Sequence, residues 1–421
     1  MPRWHDDHIA RMKAGATSLN TEAFVALMAR VRLLGAAAQF AEARELLHCV
    51  SDNYPPAAIG MTSFRSLLVA GILMHCGDLA EAWLLERFRC PYKLKIDIAE
   101  SGGDPRVAHL RVSGNEAWFL FADSLFSWAN SEQLLGRWVD TYPLFDAFMT
   151  SSHRTDGSVD LNLSDIGVRP GLTFSDYRPG YYLIPDPDYM SQERYTAYKA
   201  YLCANPMPWD DRLPVAFWRG ATTGMGKRAF WRGSIPDTEP RSVAGEARPD
   251  PLSRWRGAPR IRVCQISRAN PGIIDAGITD VVEIVDPTFR AGLESLDLLR
   301  PHVPSHSFQK YRYQIDIDGH SNAWSGLFRK LLTGSPVLKV ASGAGFRQWY
   351  YDRLRPWANY IPVAEDMGDL VEKVVWLRAH DEVARRIGEA GRDLAEALTG
   401  EQEILAAASV FAVAMRAAAS Q

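Results

Sequence analysis

Cysteine is scarce and scattered in this 421-residue chain. Cys49, Cys76, Cys90, Cys203 and Cys264 are odd in number, and no two have metal-ligand spacing. That excludes a disulfide framework or a zinc module as the organiser of the fold. None of the ten histidines lies in an HExxH motif. His302 and His306 are four apart, but Pro304 between them prevents a helix from presenting both. No stretch reaches the roughly 20 apolar residues of a membrane helix. The opening residues, MPRWHDDHIARMKAG, lack the apolar core of a signal peptide. There is no long basic run and the net charge is −3, which argues against nucleic acid as the main partner. The GxxxxGK spacing of a P-loop is also missing, although Lys227 and Arg228 follow Gly224-Met225-Gly226.

What is present is the composition of a soluble globular protein, with 47% hydrophobic and 23% charged residues, long enough for two or three domains. Residues 18 to 90 read as helices. Glu42–Leu47 and Leu79–Leu85 share an alanine-rich, leucine-ended pattern, and Gly77-Asp78 is a helix start. Two copies fit either tetratricopeptide-like hairpins or a plain helical extension, and both readings stay open. Period-two alternation begins at Lys93. Leu94, Ile96 and Ile98 alternate with polar residues, as do Leu110 and Val112, and later Val159, Leu161 and Leu163. Between these lies an amphipathic helix marked by Leu134, Leu135, Trp138, Tyr142, Phe145 and Met149. Tyr189 to Leu202 reads as a linking helix, Val215 to Trp218 as a strand, and Arg262 to Ile266 as another strand. Residues 232 to 260, rich in Pro, Gly and Arg, read as a loop or lid.

The most informative stretch runs from Tyr313 to Val340. Tyr313, Ile315 and Ile317 alternate with Gln314, Asp316 and Asp318, which predicts a strand with one buried face. Gly319 breaks it, and Ser321 or Asn322 is the expected N-cap of a helix carrying Trp324, Leu327, Phe328, Leu331 and Leu332 on one stripe. Gly334 ends that helix, and Pro336 to Val340 is a second strand. A helix N-terminus carries free N–H groups and partial positive charge, so the turn is a natural seat for a phosphate.

The string DxDGxxxxWSGxFxKLLxGSPVLK resembles glycosyltransferase family 90, as do Gln348-Trp349-Tyr350-Tyr351, Leu354 to Val363 and the upstream Trp218-Arg219-Gly220 element. The resemblance runs from about Val159 to about Ala395. It implies an α/β fold: a GT-B-like pair of Rossmann-type domains facing a cleft, with an N-terminal helical extension. The expected divisions are 1–92 helical extension, 93–200 acceptor-side α/β domain, 201–395 nucleotide-sugar-binding α/β domain, and 396–421 a C-terminal helix returning to the first α/β domain. Leu327 stands where many members carry Arg, and Arg329 cannot occupy the same helix face. Secretory eukaryotic members are disulfide-bonded, so the cysteine pattern resembles a bacterial, cytoplasmic form, peripheral on the inner membrane.

The resemblance implies an inverting transfer from a UDP-sugar to a hydroxyl of a cell-surface glycan, such as lipopolysaccharide core or capsule. A diphosphate is already a good leaving group, so one carboxylate base plus positive charge suffices, in contrast to the carboxylate pair of a glycosidase. Asp165, just past the strand from Val159, is the expected general base; Asp160 and Asp176 are the next candidates. The other reading of Asp165-Ile166-Gly167 is a solvated turn. Arg219 is expected to hold the diphosphate by bidentate hydrogen bonds, with Gly220 and Thr222 beside it; the alternative is an arginine ion-paired at a strand end. Gly319, His320, Ser321, Asn322 and Ser325 complete the expected donor site. Asp316-x-Asp318 could hold a divalent metal, but the helix terminus and Arg219 supply charge without one, so no cofactor is expected. The expected partners are a nucleotide-sugar donor and a glycan or lipid-linked glycan acceptor, with a protein partner through the N-terminal helices. Two other classes compete: a non-catalytic scaffold with a degenerate transferase domain, and a metal-dependent phosphohydrolase built on the two aspartates.

Overall fold

A computed structural model describes residues 21–99, 102–224, 252, 255, 257–284 and 286–420. Most of the expected loop at 232–260, and Lys227 and Arg228, lie outside the described residues. The chain divides into two compact units, Met1–Phe174 with Pro179–Ser191 and Gln402–Gln421, and Ser175–Arg178 with Gln192–Glu401.

The first unit opens with two helical hairpins, α1 (Thr21–Ala36) with α2 (Phe40–Asn53) and α3 (Met61–Leu73) with α4 (Gly77–Phe88). Its sheet follows: β1 (Lys93–Ile98), β2 (Val107–Ser113), β3 (Glu116–Phe121), then helix α5 (Ser131–Thr150), β4 (Gly157–Asn162), β5 (Gly171–Thr173), β6 (Tyr181–Leu183) and the short α6 (Pro187–Ser191). The strand order is β1-β3-β2-β4-β5-β6, with β2 antiparallel to both neighbours. The apolar stripe of α5 supplies the core. Trp138 meets Phe119 and Phe121 edge-on, at centroid distances of 5.1 and 5.3 Å.

The second unit contains α7 (Thr196–Ala204), β7 (Leu213–Gly220), α8 (Pro259–Ala269), β8 (Ile274–Ile278), α9 (Pro287–Ser295), β9 (Tyr311–Asp316), α10 (Ser325–Leu332), β10 (Val337–Val340), β11 (Ile361–Val363), α11 (Leu370–Ala379) and α12 (Asp381–Ala397). The strands run β11-β10-β9-β7-β8, and every pairing is parallel. Counted within this unit, that is the doubly wound order 2-1-3-4-5. Its connections reverse direction between β7 and β9, and such sheets bind ligands at the strands' carboxyl ends there. The last helix, α13 (Gln402–Ala418), belongs to the first unit, where Phe411 stacks on Phe148 of α5.

The structure corrects three local expectations. Arg262 to Ile266 is not a strand but part of α8. The alternation of Arg and apolar residues mimics period two, yet Pro259 supplies a helical φ at the first turn, and Ile261 and Cys264, three apart, are both buried. The helix expected from Tyr189 to Leu202 is broken at Glu193, Arg194 and Tyr195, all with positive φ. The Tyr195 ring is buried and stacks on Phe328 at 4.8 Å, and that packing holds the break. In β9 both faces are covered, because the strand is central in a parallel sheet. Gln314 and Asp316, expected on an outward face, are fully buried.

Candidate functional site

The carboxyl ends of β7, β9, β10 and β11 converge on a pocket of about 560 Å³, within the range of small-molecule sites. Each strand contributes the residues that follow it. Thr223 and Gly224 come after β7, Asp318 to Ser321 after β9, Ser342 to Ala344 after β10, and Glu365 with Asp366 after β11. The N-terminal turn of α8 closes one wall through Gly257, Pro259, Arg260 and Arg262.

Buried charge holds these loops in register. Asp316 accepts from Lys330 Nζ at 2.8 Å and lies 3.2 Å from Lys339 Nζ. Burial alone would raise the Asp316 carboxyl, but the two ammonium groups outweigh it and hold it below the usual carboxylate range. Lys339 also lies 3.5 Å from Asp318 Oδ1. Burial pushes the Asp318 carboxyl up, Lys339 opposes this, and Asp316 adds to it. Arg260 is a staple rather than a free charge: it donates to the carbonyls of Ala221 at 2.7 Å and Asp318 at 3.1 Å, joining the ends of β7 and β9. Its guanidinium is pushed down by burial, partly offset by Asp318, Asp316 and Glu283. Gly224 has φ +82°, and a Cβ there would sit 2.4 Å from the carbonyl oxygen of Gly319, so these two loops touch only because residue 224 is glycine.

Arg262 differs from Arg260. It lines the pocket, and no hydrogen-bond or carboxylate partner engages it among the described residues. With the α8 N-terminus beside it, this is the local charge an anion would meet. Ser321 also lines the pocket, with its Oγ enclosed and without a hydrogen-bond partner.

Of the residues expected for the donor, Gly319, His320 and Ser321 line the pocket. His320 Nε2 lies 2.6 Å from Glu283. Gly220, Thr222, Arg219, Asn322 and Ser325 do not line it. Arg219 reaches back along the sheet instead: its guanidinium pairs with Asp275 of β8 at 2.8 Å and lies over the Phe217 ring. Thr222 Oγ1 is used up by Val282, donating to its carbonyl and accepting from its N–H, both at 2.8 Å. Asn322 is not the N-cap expected of it. Its Oδ1 accepts from Ser175 at 2.6 Å and its Nδ2 donates to the Phe346 carbonyl at 3.2 Å, while α10 starts at Ser325 after the left-handed Trp324 with no side-chain cap. The tertiary ties available to a buried amide outweigh local capping. Leu327 is fully buried in α10, so a core side chain fills the place of the family's Arg.

Asp165 belongs to the first unit, in the turn after β4. Arg137 of α5 donates to it at 2.6 Å and also to the Leu163 carbonyl at 2.9 Å, which orients the carboxylate. Asp160 pairs with His109 at 2.8 Å, and Asp176 with Arg178 at 2.6 Å. Sequence reasoning missed Arg260, Arg262, the loop after β10 and the acidic pair after β11. The small residues Ala341-Ser342-Gly343-Ala344-Gly345 after an apolar strand were a usable signal for a ligand loop. Nothing local marked Arg262 once α8 was read as a strand.

Fold and pocket together define an α/β unit with a ligand site at the switch point of a parallel sheet. Residues 247–404 match the model of the family described as Glycosyl transferase family 90. Protein O-glucosyltransferase 2 of Danio rerio is 33% identical over 145 residues, covering 34% of this chain and 27% of that protein. Uncharacterized protein 035R of Invertebrate iridescent virus 3 is 29% identical over 193 residues, covering 43% of this chain and 14% of that protein. The chain thus spans about a quarter or less of the length of these curated relatives. Among solved structures, Anabaena Alr3699/HepE in complex with UDP-glucose aligns with a TM-score of 0.29 and 9% identity, over 54% of this chain and 52% of that one.

Proposed function

We propose that the protein is an inverting glycosyltransferase that moves a sugar from a UDP-sugar to an acceptor hydroxyl. The observation that carries this reading is the pocket: it lies at the switch point of the sheet, mostly within the segment that matches the family 90 model, and presents Arg262 and a helix N-terminus to one wall. Arg262 and the first turn of α8 would hold the diphosphate and stabilise its departure. The carboxylates of Glu365 and Asp366 would accept from sugar and ribose hydroxyls. Arg219, through Asp275, would position the β7 end. Asp165 would take the acceptor proton as the new bond forms.

The reaction would need no divalent metal, because Lys330 and Lys339 already engage the carboxylate of Asp316 that a cation would use. The proposed acceptor is a hydroxyl of a cell-surface glycan such as lipopolysaccharide core or capsule. The name of the zebrafish relative favours a second reading, a protein hydroxyl. The proposed setting is the cytoplasm of a bacterium, peripheral to the inner membrane. Among the described residues, no single helix is long and apolar enough to cross a membrane.

Screening nucleotide-sugars for thermal stabilisation and slow donor hydrolysis, with and without EDTA, tests the reading. A UDP-sugar should raise the melting temperature by mass action and be hydrolysed equally in both conditions. If no nucleotide-sugar does either, the reading fails; activity lost with EDTA and restored by Mn²⁺ would return the metal role to Asp316 and Asp318. Glycan and polypeptide acceptors, tried in parallel, separate the two acceptor readings.

A further inference from the structure

A second pocket of about 400 Å³ lies in the same unit, at the amino ends of its strands. It is lined by residues that precede strands rather than follow them: Arg212 before β7, Gln309 before β9 and Thr333 before β10. No residue of the first pocket takes part. Three cations converge on it, Lys199 of α7, Arg212 and Arg392 of α12, against one carboxylate, Glu396.

The cations are poorly neutralised. Arg212 is half-buried and has no carboxylate partner within ion-pair distance among the described residues. It donates only to neutral oxygens, the Met207 carbonyl at 3.1 Å and Ser335 Oγ at 2.9 Å. The nearest carboxylates to Arg392 Nε are Glu396 at 3.9 Å and Asp393 at 4.0 Å, beyond hydrogen-bond reach. Lys199 Nζ donates to Thr399 Oγ1 at 2.6 Å, another neutral oxygen. The Arg212 guanidinium is pushed down to about 10 by burial first, then by Arg392, Arg312 and Arg385, with Glu389 opposing. Even half-buried, an arginine without a close counter-charge loses hydration that a bound anion would replace. Two guanidinium forks and an ammonium fit the oxygens of a phosphate.

We propose that this pocket binds a phosphate-bearing ligand through Lys199, Arg212 and Arg392, as a site separate from the pocket at the carboxyl ends of the strands. The phosphate could be carried by a soluble molecule or by a lipid headgroup. The site stands whether or not the first pocket binds a nucleotide-sugar.

Cys203 offers a direct readout, because it lines this pocket and is the one exposed cysteine of the five. The experiment measures the rate of iodoacetamide alkylation of the Cys203 peptide by mass spectrometry on the full chain. One arm adds sodium pyrophosphate against sodium chloride at equal ionic strength. The other adds phosphatidylcholine vesicles with and without phosphatidic acid. Saturable protection is expected in one arm, and the arm identifies the source of the phosphate. Arg392→Gln should raise the half-protecting concentration by about 10-fold or more, the worth of a charge-assisted hydrogen bond. Glu396→Gln, which removes the competing carboxylate, should lower it. Unmodified Cys76 and Cys264, both buried, report that each variant is folded. Absence of protection in both arms, or protection unchanged in Arg392→Gln, overturns the proposal.

Discussion

Lys330 Nζ donates to Asp316 Oδ1 at 2.8 Å with both side chains buried, one on α10 and the other at the end of β9. The pair fixes the helix to the strand whose following residues form the floor of the pocket. Removing one member of such a pair leaves an uncompensated charge. Asp316→Asn should therefore destabilise the protein by about 3–5 kcal/mol in urea unfolding. Because the folded carboxyl is held low, its contribution is present above the unfolded value of about 3.9 and is lost as pH falls through the lower folded value. A loss under about 1 kcal/mol at neutral pH would mean the pair is not a stabilising tie.

Asp318 should behave in the opposite way. Burial raises its folded carboxyl, so stability is lost as pH rises from the unfolded value of about 3.9 to the raised folded value and is level above it; the penalty vanishes below the unfolded value, where both states are protonated. Asp318→Asn resembles the neutral acid and should raise the melting temperature at pH 7, with an advantage that is level above the folded value and shrinks as pH falls from there to the unfolded value of about 3.9. A gap that persists undiminished from pH 7 down to about pH 3.5, below the unfolded value, would contradict this assignment.

The two arginines discussed for the diphosphate make separable predictions. Arg262→Ala should weaken UDP binding by about 10- to 100-fold, measured calorimetrically, with little change in melting temperature, since no described residue pairs with it. Arg219→Ala should lower the melting temperature through loss of the Asp275 pair, with a smaller effect on UDP affinity. The reverse pattern would restore Arg219 to the phosphate site.

Asp165→Asn keeps the shape of the side chain but cannot accept a proton. Transfer should fall by roughly 10²- to 10⁴-fold, in the chemical step and with donor affinity unchanged, because every pocket residue lies in the other unit. Near-normal turnover would move the role to another carboxylate, with Asp160 and Asp176 next in line.

Gly224 against Gly319 shows what was legible and what was not. The helix-rich start, the α/β class and the strand–helix–strand around Tyr313 to Val340 could all be read from periodicity, because side-chain burial repeats every two or 3.6 residues along the chain. Motif order carried the family resemblance. Asp316 and Gln314 could not be placed correctly, since a central parallel strand buries both faces and local alternation does not say what covers the second one. Nor could Arg219, Arg260 and Arg262 be sorted into strand clamp, loop staple and open charge. All three are arginines next to apolar residues, and only the partners brought by other strands, Asp275 for the first and the Ala221 and Asp318 carbonyls for the second, separate them. By itself, the sequence determined most of the helices and strands, and the stretch that resembles family 90, because both are written in contiguous residues. The tertiary structure alone decided which cations are neutralised and which face a pocket, because charge pairing depends on groups far apart in the chain and on the burial that excludes water between them.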